Sequence, residues 1–472
     1  MGVKRRQILR GAAAMAAATT AAAASAASRP ATGDSAGHAT STSVGAAGVV
    51  SANMSAGMSE PRAIPPMNMS RAAQVMEEDG IDALVLAEGT NFYHASGHRP
   101  VTTRMGHRPS NVAIVTRSES QRLTFVLSSF SYYYTMADSL DADNYPIYLY
   151  TAPEEENASE ARPVRVFPDR QEAPMDDIES RRASLTFLAE EERHASPGLG
   201  PALARALTEL GLARGKIALD HQSILARLEG RLPNASFVGA SNALSRIRPI
   251  KSDTEIALMR RAATMNAEAA LAAVSTVRAG ASYRDLRNVF AAEAALRGNR
   301  SVFMVVDRVS SDHFDAPFRD GQSFLIDAVS EYQGYHGDYG RTVFIGEPPE
   351  PMAKATQKIG RAWDELRGAI RPGMRFSEVS ALGVQTLKKL GGNYPVSFTP
   401  HSVGLYHTDH VDPVGAGSGW QDLVLEPGMI ISVDCPLLAA GVGGSAHLED
   451  LMLITATGSE PINAVGDQVI LL

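Results

Sequence analysis

Cysteine is almost missing from this chain of 472 residues, Cys435 being the single one. One thiol excludes an intramolecular disulfide framework, a CxxC redox motif and a cysteine zinc cage, so any metal must sit on carboxylates and imidazoles. A basic excess is missing too. Forty-four Lys and Arg against 52 Asp and Glu give a net charge of −8, the opposite of the footprint that nucleic-acid binding requires. HExxH, Walker, GxSxG and GxGxxG motifs are absent, which leaves the chemistries that depend on them without a foothold. What is present is apolar material, 44% hydrophobic against 20% charged residues, enough to bury two domains.

The chain starts with Val3-Lys4-Arg5-Arg6-Gln7-Ile8-Leu9-Arg10, followed over residues 11–28 by Ala with a few Thr and Ser. The arginine pair resembles a bacterial twin-arginine (Tat) signal, and an Ala-Ser-Ala-like cleavage site lies near Ala26. The resemblance implies export by the Tat machinery to the periplasm and no membrane attachment after cleavage; a retained anchor helix or a Sec signal is the alternative. Loss of residues 1–28 removes four bases and no acid, moving the net charge from −8 to −12. Residues 29–69 are Ala, Ser, Thr, Gly and Met-rich, the composition of a tether. Its methionines Met54, Met58, Met67 and Met69 have no fixed spacing and no neighbouring His, which argues against a soft-metal patch.

Helix-like and strand-like stretches alternate from Ser70, with strands expected at Ile81–Leu86, Val112–Val115, Leu123–Leu127 and Lys216–Asp220, and a helix from Arg181 to Leu212. This reads as an α/β domain over residues 70–245. Ser252 or Asp253 can cap an Ala-rich helix from Glu255 to about Val277, and a second helix begins near Ser282. A second domain, residues 246–472, then alternates strands and helices to the end. Six of the twelve histidines lie from His313 onward, which directs attention there.

Phe324-Leu325-Ile326-Asp327-Ala328-Val329 places an acid inside an apolar strand, unfavourable unless its charge is paired or bound to a cation. Asp338 follows eleven residues later. Asp434 ends the run Met429-Ile430-Ile431-Ser432-Val433, Glu449 lies in Leu448-Glu449-Asp450-Leu451-Met452, and His401 adds an imidazole. Alone, Asp327 and Asp338 read equally well as a salt-bridged core acid and a turn residue. Together, the five suit a carboxylate-rich site for Mn, Fe, Co or Zn.

The order Asp327, Asp338, His401, Asp434, Glu449 resembles the Asp-Asp-His-Glu-Glu ligand set of the pita-bread metallopeptidases, the family of methionine aminopeptidase, prolidase and aminopeptidase P, with creatinase as a metal-free relative. Gly80-Ile81-Asp82-Ala83-Leu84, Asn91-Phe92-Tyr93 and Ser96-Gly97 are similar to the creatinase/prolidase N-terminal domain. The resemblance implies an α/β (α+β) chain: a creatinase-type N-terminal domain, then a C-terminal pita-bread domain. It implies two divalent ions, with Asp327 on one, His401 and Asp434 on the other and Asp338 and Glu449 bridging, a short peptide or small amide as substrate, and a homodimer. His313 matches the family's His upstream of the first ligand and is expected to contact substrate. Two departures stand out. Asp434 is one methylene shorter than the usual Glu. The family's substrate-binding Arg two residues before the final Glu is here His447, and its His seven residues after the ligand His is here Thr408, with His407 and His410 beside it. His407 and His447 are therefore expected to have taken over substrate roles, and Xaa-Pro specificity competes with hydrolysis or lysis of a small metabolite. A binding protein on an inactive scaffold ranks last, since all five ligand positions can hold a metal.

Overall fold

The structure is a computed structural model that describes residues 64–99, 101, 105–137, 144–151, 173–193, 195–311, 313–409, 422–438, 441–463 and 466–472. The segment expected to be an export signal, most of the expected tether and His410 lie outside these residues. Among the described residues the N-terminal part forms a seven-stranded sheet. Its strands are β1 (Ala83–Leu86), β2 (Val112–Thr116), β3 (Leu123–Ser128), β4 (Ile147–Thr151), β5 (Ser196–Pro197), β6 (Lys216–Leu219) and β7 (Ser236–Gly239). They lie in the order β5-β4-β3-β2-β1-β6-β7. β1 to β3 are buried throughout, as continuous apolar runs require when helices cover both faces. The expected helix from Arg181 to Leu212 is two helices, Asp177–Arg193 and Leu199–Glu209, separated by β5. Pro197 and Gly198, the latter at φ 103°, account for the break.

The helix Asp253–Val274 opens the C-terminal part. It starts at a capping box in which Ser252 and Glu255 satisfy each other's backbone N–H groups, and the helix Tyr283–Leu296 starts the same way at Ser282 and Asp285. Two sheets follow. The first holds β8 (Arg300–Val306), β9 (Ser323–Tyr332), β10 (Tyr335–His336), β11 (Tyr339–Phe344), β14 (Glu449–Asp450) and β17 (Val469–Leu471). The second holds β12 (Thr399–Ser402), β13 (Ile430–Asp434), β15 (Met452–Ile454) and β16 (Ser459–Pro461). The chain passes from one sheet to the other at Leu451: β14 pairs with β11, whereas β15 pairs with β13. Glu449 therefore sits where the two sheets meet. A mixed α/β chain with this division matches the expected fold class.

Candidate metal centre

Strand register brings the acids together. Asp327 on β9 and Glu449 on β14 both lie opposite Gly340 of the intervening β11, so the three residues form one row across the sheet. Asp338 immediately precedes β11. In the other sheet His401 pairs with Ser432, and Asp434 follows Ser432 two residues later on the same face. Arg341 fixes the backbone under the site, donating to the carbonyl of Glu449 at 2.9 Å and to Asp450 Oδ1 at 2.8 Å.

His401 Nε2 lies 3.4 Å from Asp434 Oδ2, 3.5 Å from Glu449 Oε1 and 3.6 Å from Asp338 Oδ2. These spacings exceed good hydrogen bonds yet converge on one point, as donors around a cation do. Asp327, His447 and Glu449 form a second convergent group, and Asp338, His401 and His407 a third, with donor atoms within 4.8 Å of one another in each. Asp338, His401, His447 and Glu449 are buried. Asp434 and His407 keep 28% and 30% of their side chains exposed and Asp327 is also partly open, so these three mark the accessible edge.

The electrostatics of this cluster are unbalanced. Burial first, then the charge of Glu449 and neighbouring acids, pushes Asp327 and Asp338 well above the usual carboxylate range; burial and Glu449 also raise Asp434. Burial opposes protonation of His401 and His447, but hydrogen bonds and charge from the acids outweigh it, raising His401 well above its ordinary value and His447 to about 9. Glu449, though buried, is held well below its normal range by His401 and His447. Asp327 Oδ1 and both oxygens of Asp338 have no hydrogen-bond partner among the described residues. Buried carboxylate oxygens left in that state fit a divalent cation, and the oxygen-and-imidazole donor set suits Mn, Fe, Co or Zn.

The sequence-predicted residues part company here. Asp327, Asp338, His401, Asp434 and Glu449 come together, and His407 joins them with Nε2 3.2 Å from Asp338 Oδ2. His313 does not. It is exposed, it belongs to none of these groups, and its backbone N–H donates to Ser311 Oγ at 3.2 Å. His447 is placed away from the accessible edge. That side chain is 3% exposed and its Nε2 faces the acids, 3.0 Å from Glu449 Oε2, because residues 447 and 449 share one face of an extended segment. Cys435 is buried, with Sγ donating to the Leu448 carbonyl at 2.7 Å, and burial raises its thiol pKa strongly, which removes it as a nucleophile.

Three supports were not foreseen. Ser432 Oγ donates to Glu449 Oε1. Asp409, fully buried, pairs with Arg248 and with Lys251 Nζ at 2.9 Å, pinning the segment that carries His407 to the start of the second domain. Tyr406 OH donates to Thr90 Oγ1 at 2.9 Å. Tyr406 and Asp409 lie in an irregular segment, where a hydroxyl or charge gives no sign of burial in the sequence, so only the uncommon Arg248-Pro249-Ile250-Lys251 run hinted at the Asp409 pairing.

Comparison with known proteins agrees with this geometry. Residues 69–250 match the Creatinase/Prolidase N-terminal domain and residues 257–456 match metallopeptidase family M24. The probable dipeptidase PepE of Mycobacterium tuberculosis is 30% identical over 270 residues, covering 53% of this chain and 67% of that protein. The Xaa-Pro dipeptidase of Pyrococcus furiosus is 24% identical over 235 residues, covering 48% and 66%. Among solved structures, a dipeptidase from Pyrococcus horikoshii OT3 superposes with a TM-score of 0.61 at 18% identity, covering 86% of this chain and 100% of that one. With both domain models matched in order and the fold shared along its length, the chain belongs to metallopeptidase family M24 and is a metal-dependent hydrolase.

Proposed function

We propose that the chain is a metal-dependent aminopeptidase of the Xaa-Pro type, cleaving near the N-terminus of a short peptide with two divalent ions, manganese among the candidates. We place it in the periplasm, reached through Arg5 and Arg6, and expect a homodimer. One observation carries the catalytic part: acids and imidazoles from two sheets converge, and among the described residues the partly exposed members of the cluster are Asp327, Asp434 and His407. Asp327, Asp338, His401, Asp434 and Glu449 would hold the ions. Bound there, divalent ions supply Lewis acidity toward the amide carbonyl and a more acidic hydrolytic water. Ser432 orients Glu449 through its hydrogen bond, and Asp409 and Tyr406 fix the segment bearing His407, whose ring at the open edge is positioned to hydrogen-bond the substrate. The relatives named as dipeptidases and Xaa-Pro dipeptidases support a peptide substrate.

The inward orientation of His447 favours a second reading. That residue offers no grip on the free carboxylate of a dipeptide, so longer peptides or a small non-peptide amide fit better. A panel of Xaa-Pro dipeptides, tri- and tetrapeptides with proline second, and small amides, assayed on metal-loaded mature protein, separates the two. The proposal expects the longer peptides to be hydrolysed fastest. Turnover of small amides alone would replace the peptidase assignment with the metabolite hydrolase.

A further inference from the structure

Asp434 and Glu449 each point one oxygen at His401 and the other at His447. Asp434 Oδ2 lies 3.4 Å from His401 Nε2 and Asp434 Oδ1 3.5 Å from His447 Nε2. Glu449 Oε1 lies 3.5 Å from His401 Nε2 and Glu449 Oε2 3.0 Å from His447 Nε2. The two imidazoles therefore stand on opposite sides of the same pair of carboxylates. Asp338 completes the His401 side and Asp327 the His447 side.

The space for His447 is built into the sheet. Gly340, opposite both Asp327 and Glu449, has no side chain, and a Cβ there would meet His447 Nε2 at 2.6 Å and Glu449 Cβ at 2.8 Å. The backbone beneath the ring is fixed as well: Thr342 Oγ1 accepts from the His447 N–H and donates to its carbonyl, both at 3.1 Å. A side chain held this way, with its ring nitrogen among three acids, is placed as a donor to whatever cation those acids bind.

We propose that His447 is a direct metal ligand, so that each of the two metal positions has its own imidazole, His401 for one and His447 for the other. The shorter Asp434 then belongs with a second imidazole on the far side rather than marking a weakened site. Two imidazoles in place of one shift the donor set toward nitrogen, which favours Zn(II), Co(II) and Fe(II) over Mn(II). The inference rests on the metal reading of the cluster, and its test separates the two.

The test loads wild type, His447→Gln and His407→Gln with Co(II) and records exchangeable, hyperfine-shifted proton signals, one for each ligating imidazole N–H. His447→Gln should remove one signal and weaken one of the two sites at least 100-fold, more than loss of an outer-sphere partner ordinarily does. An unchanged set of signals in His447→Gln overturns the proposal and leaves His447 as a hydrogen-bond partner of Glu449. If that variant does not fold, a zinc-loaded crystal structure of wild type decides: a zinc to His447 Nε2 distance of about 2.0–2.1 Å supports ligation, and a distance beyond 3 Å overturns it. Failure of wild type to bind any of these ions would reject the metal reading itself.

Discussion

Two groups of buried acids lie close together in this molecule and are treated in opposite ways. Asp409 is completely enclosed, yet Arg248 and Lys251 more than offset the effect of burial and hold its carboxyl below the usual range. Asp327, Asp338 and Asp434 face Glu449 and the imidazoles, and burial together with repulsion from Glu449 drives them upward. The first group is complete as protein. The second sets four acids, Asp327, Asp338, Asp434 and Glu449, against the two imidazoles of His401 and His447, and that shortfall of positive charge among the described residues marks a cation site.

Substitution of a ligand should give the largest effect. His401→Ala is expected to lose metal and to lower kcat/KM by about a thousand-fold or more, the scale of the several kcal/mol that metal catalysis contributes, with metal content and peptide hydrolysis as the readouts. Asp409→Ala should do the reverse of that pattern. Leaving Arg248 and Lys251 buried without their partner is expected to destabilise the fold by about 3–5 kcal/mol, measured by denaturant unfolding, without removing any ligand.

The pH dependence of the metal-free protein sharpens the contrast. The raised acids and the raised His401 and His447 bind protons in the folded chain at pH values where the unfolded chain has released them. Stability from these groups is present at low pH and declines as pH rises, first above the ordinary carboxylate value of 3.8 and then from the ordinary histidine value of 6.5 through about 9. Glu449 and His407 shift downward and offset part of this. The chelated protein should melt at a lower temperature at pH 9 than at pH 6. Metal should abolish or reverse that slope, since deprotonated donors bind it best. The smallest effect is expected for Tyr406→Phe, which removes one hydroxyl bond to Thr90 and should change stability by only about 0.5–1.5 kcal/mol, with metal stoichiometry unchanged.

Asp327 and Glu449 were legible in the sequence because an acid inside an apolar strand stands out against its neighbours, and the same contrast picked out Asp434. The surroundings of His447 were not. Its placement depends on the register that sets Gly340 beside Glu449 and on the sheet change at Leu451, neither of which leaves a mark in a single sequence. His313 illustrates the converse, since its position in the chain fits the resemblance while its side chain stays in solvent. The N-terminal sheet was readable as apolar runs, whereas the break at Pro197-Gly198 was present in the sequence and overridden by the helical pattern on either side.

A metal centre at the four acids would take up divalent ions and draw stability from them. Its most direct test is elemental analysis combined with thermal unfolding of the chelated protein titrated with Zn(II), Co(II) and Mn(II). About two ions should bind per chain, and the melting temperature should climb with free metal concentration. No bound ion and an unchanged melting temperature with all three metals would contradict it.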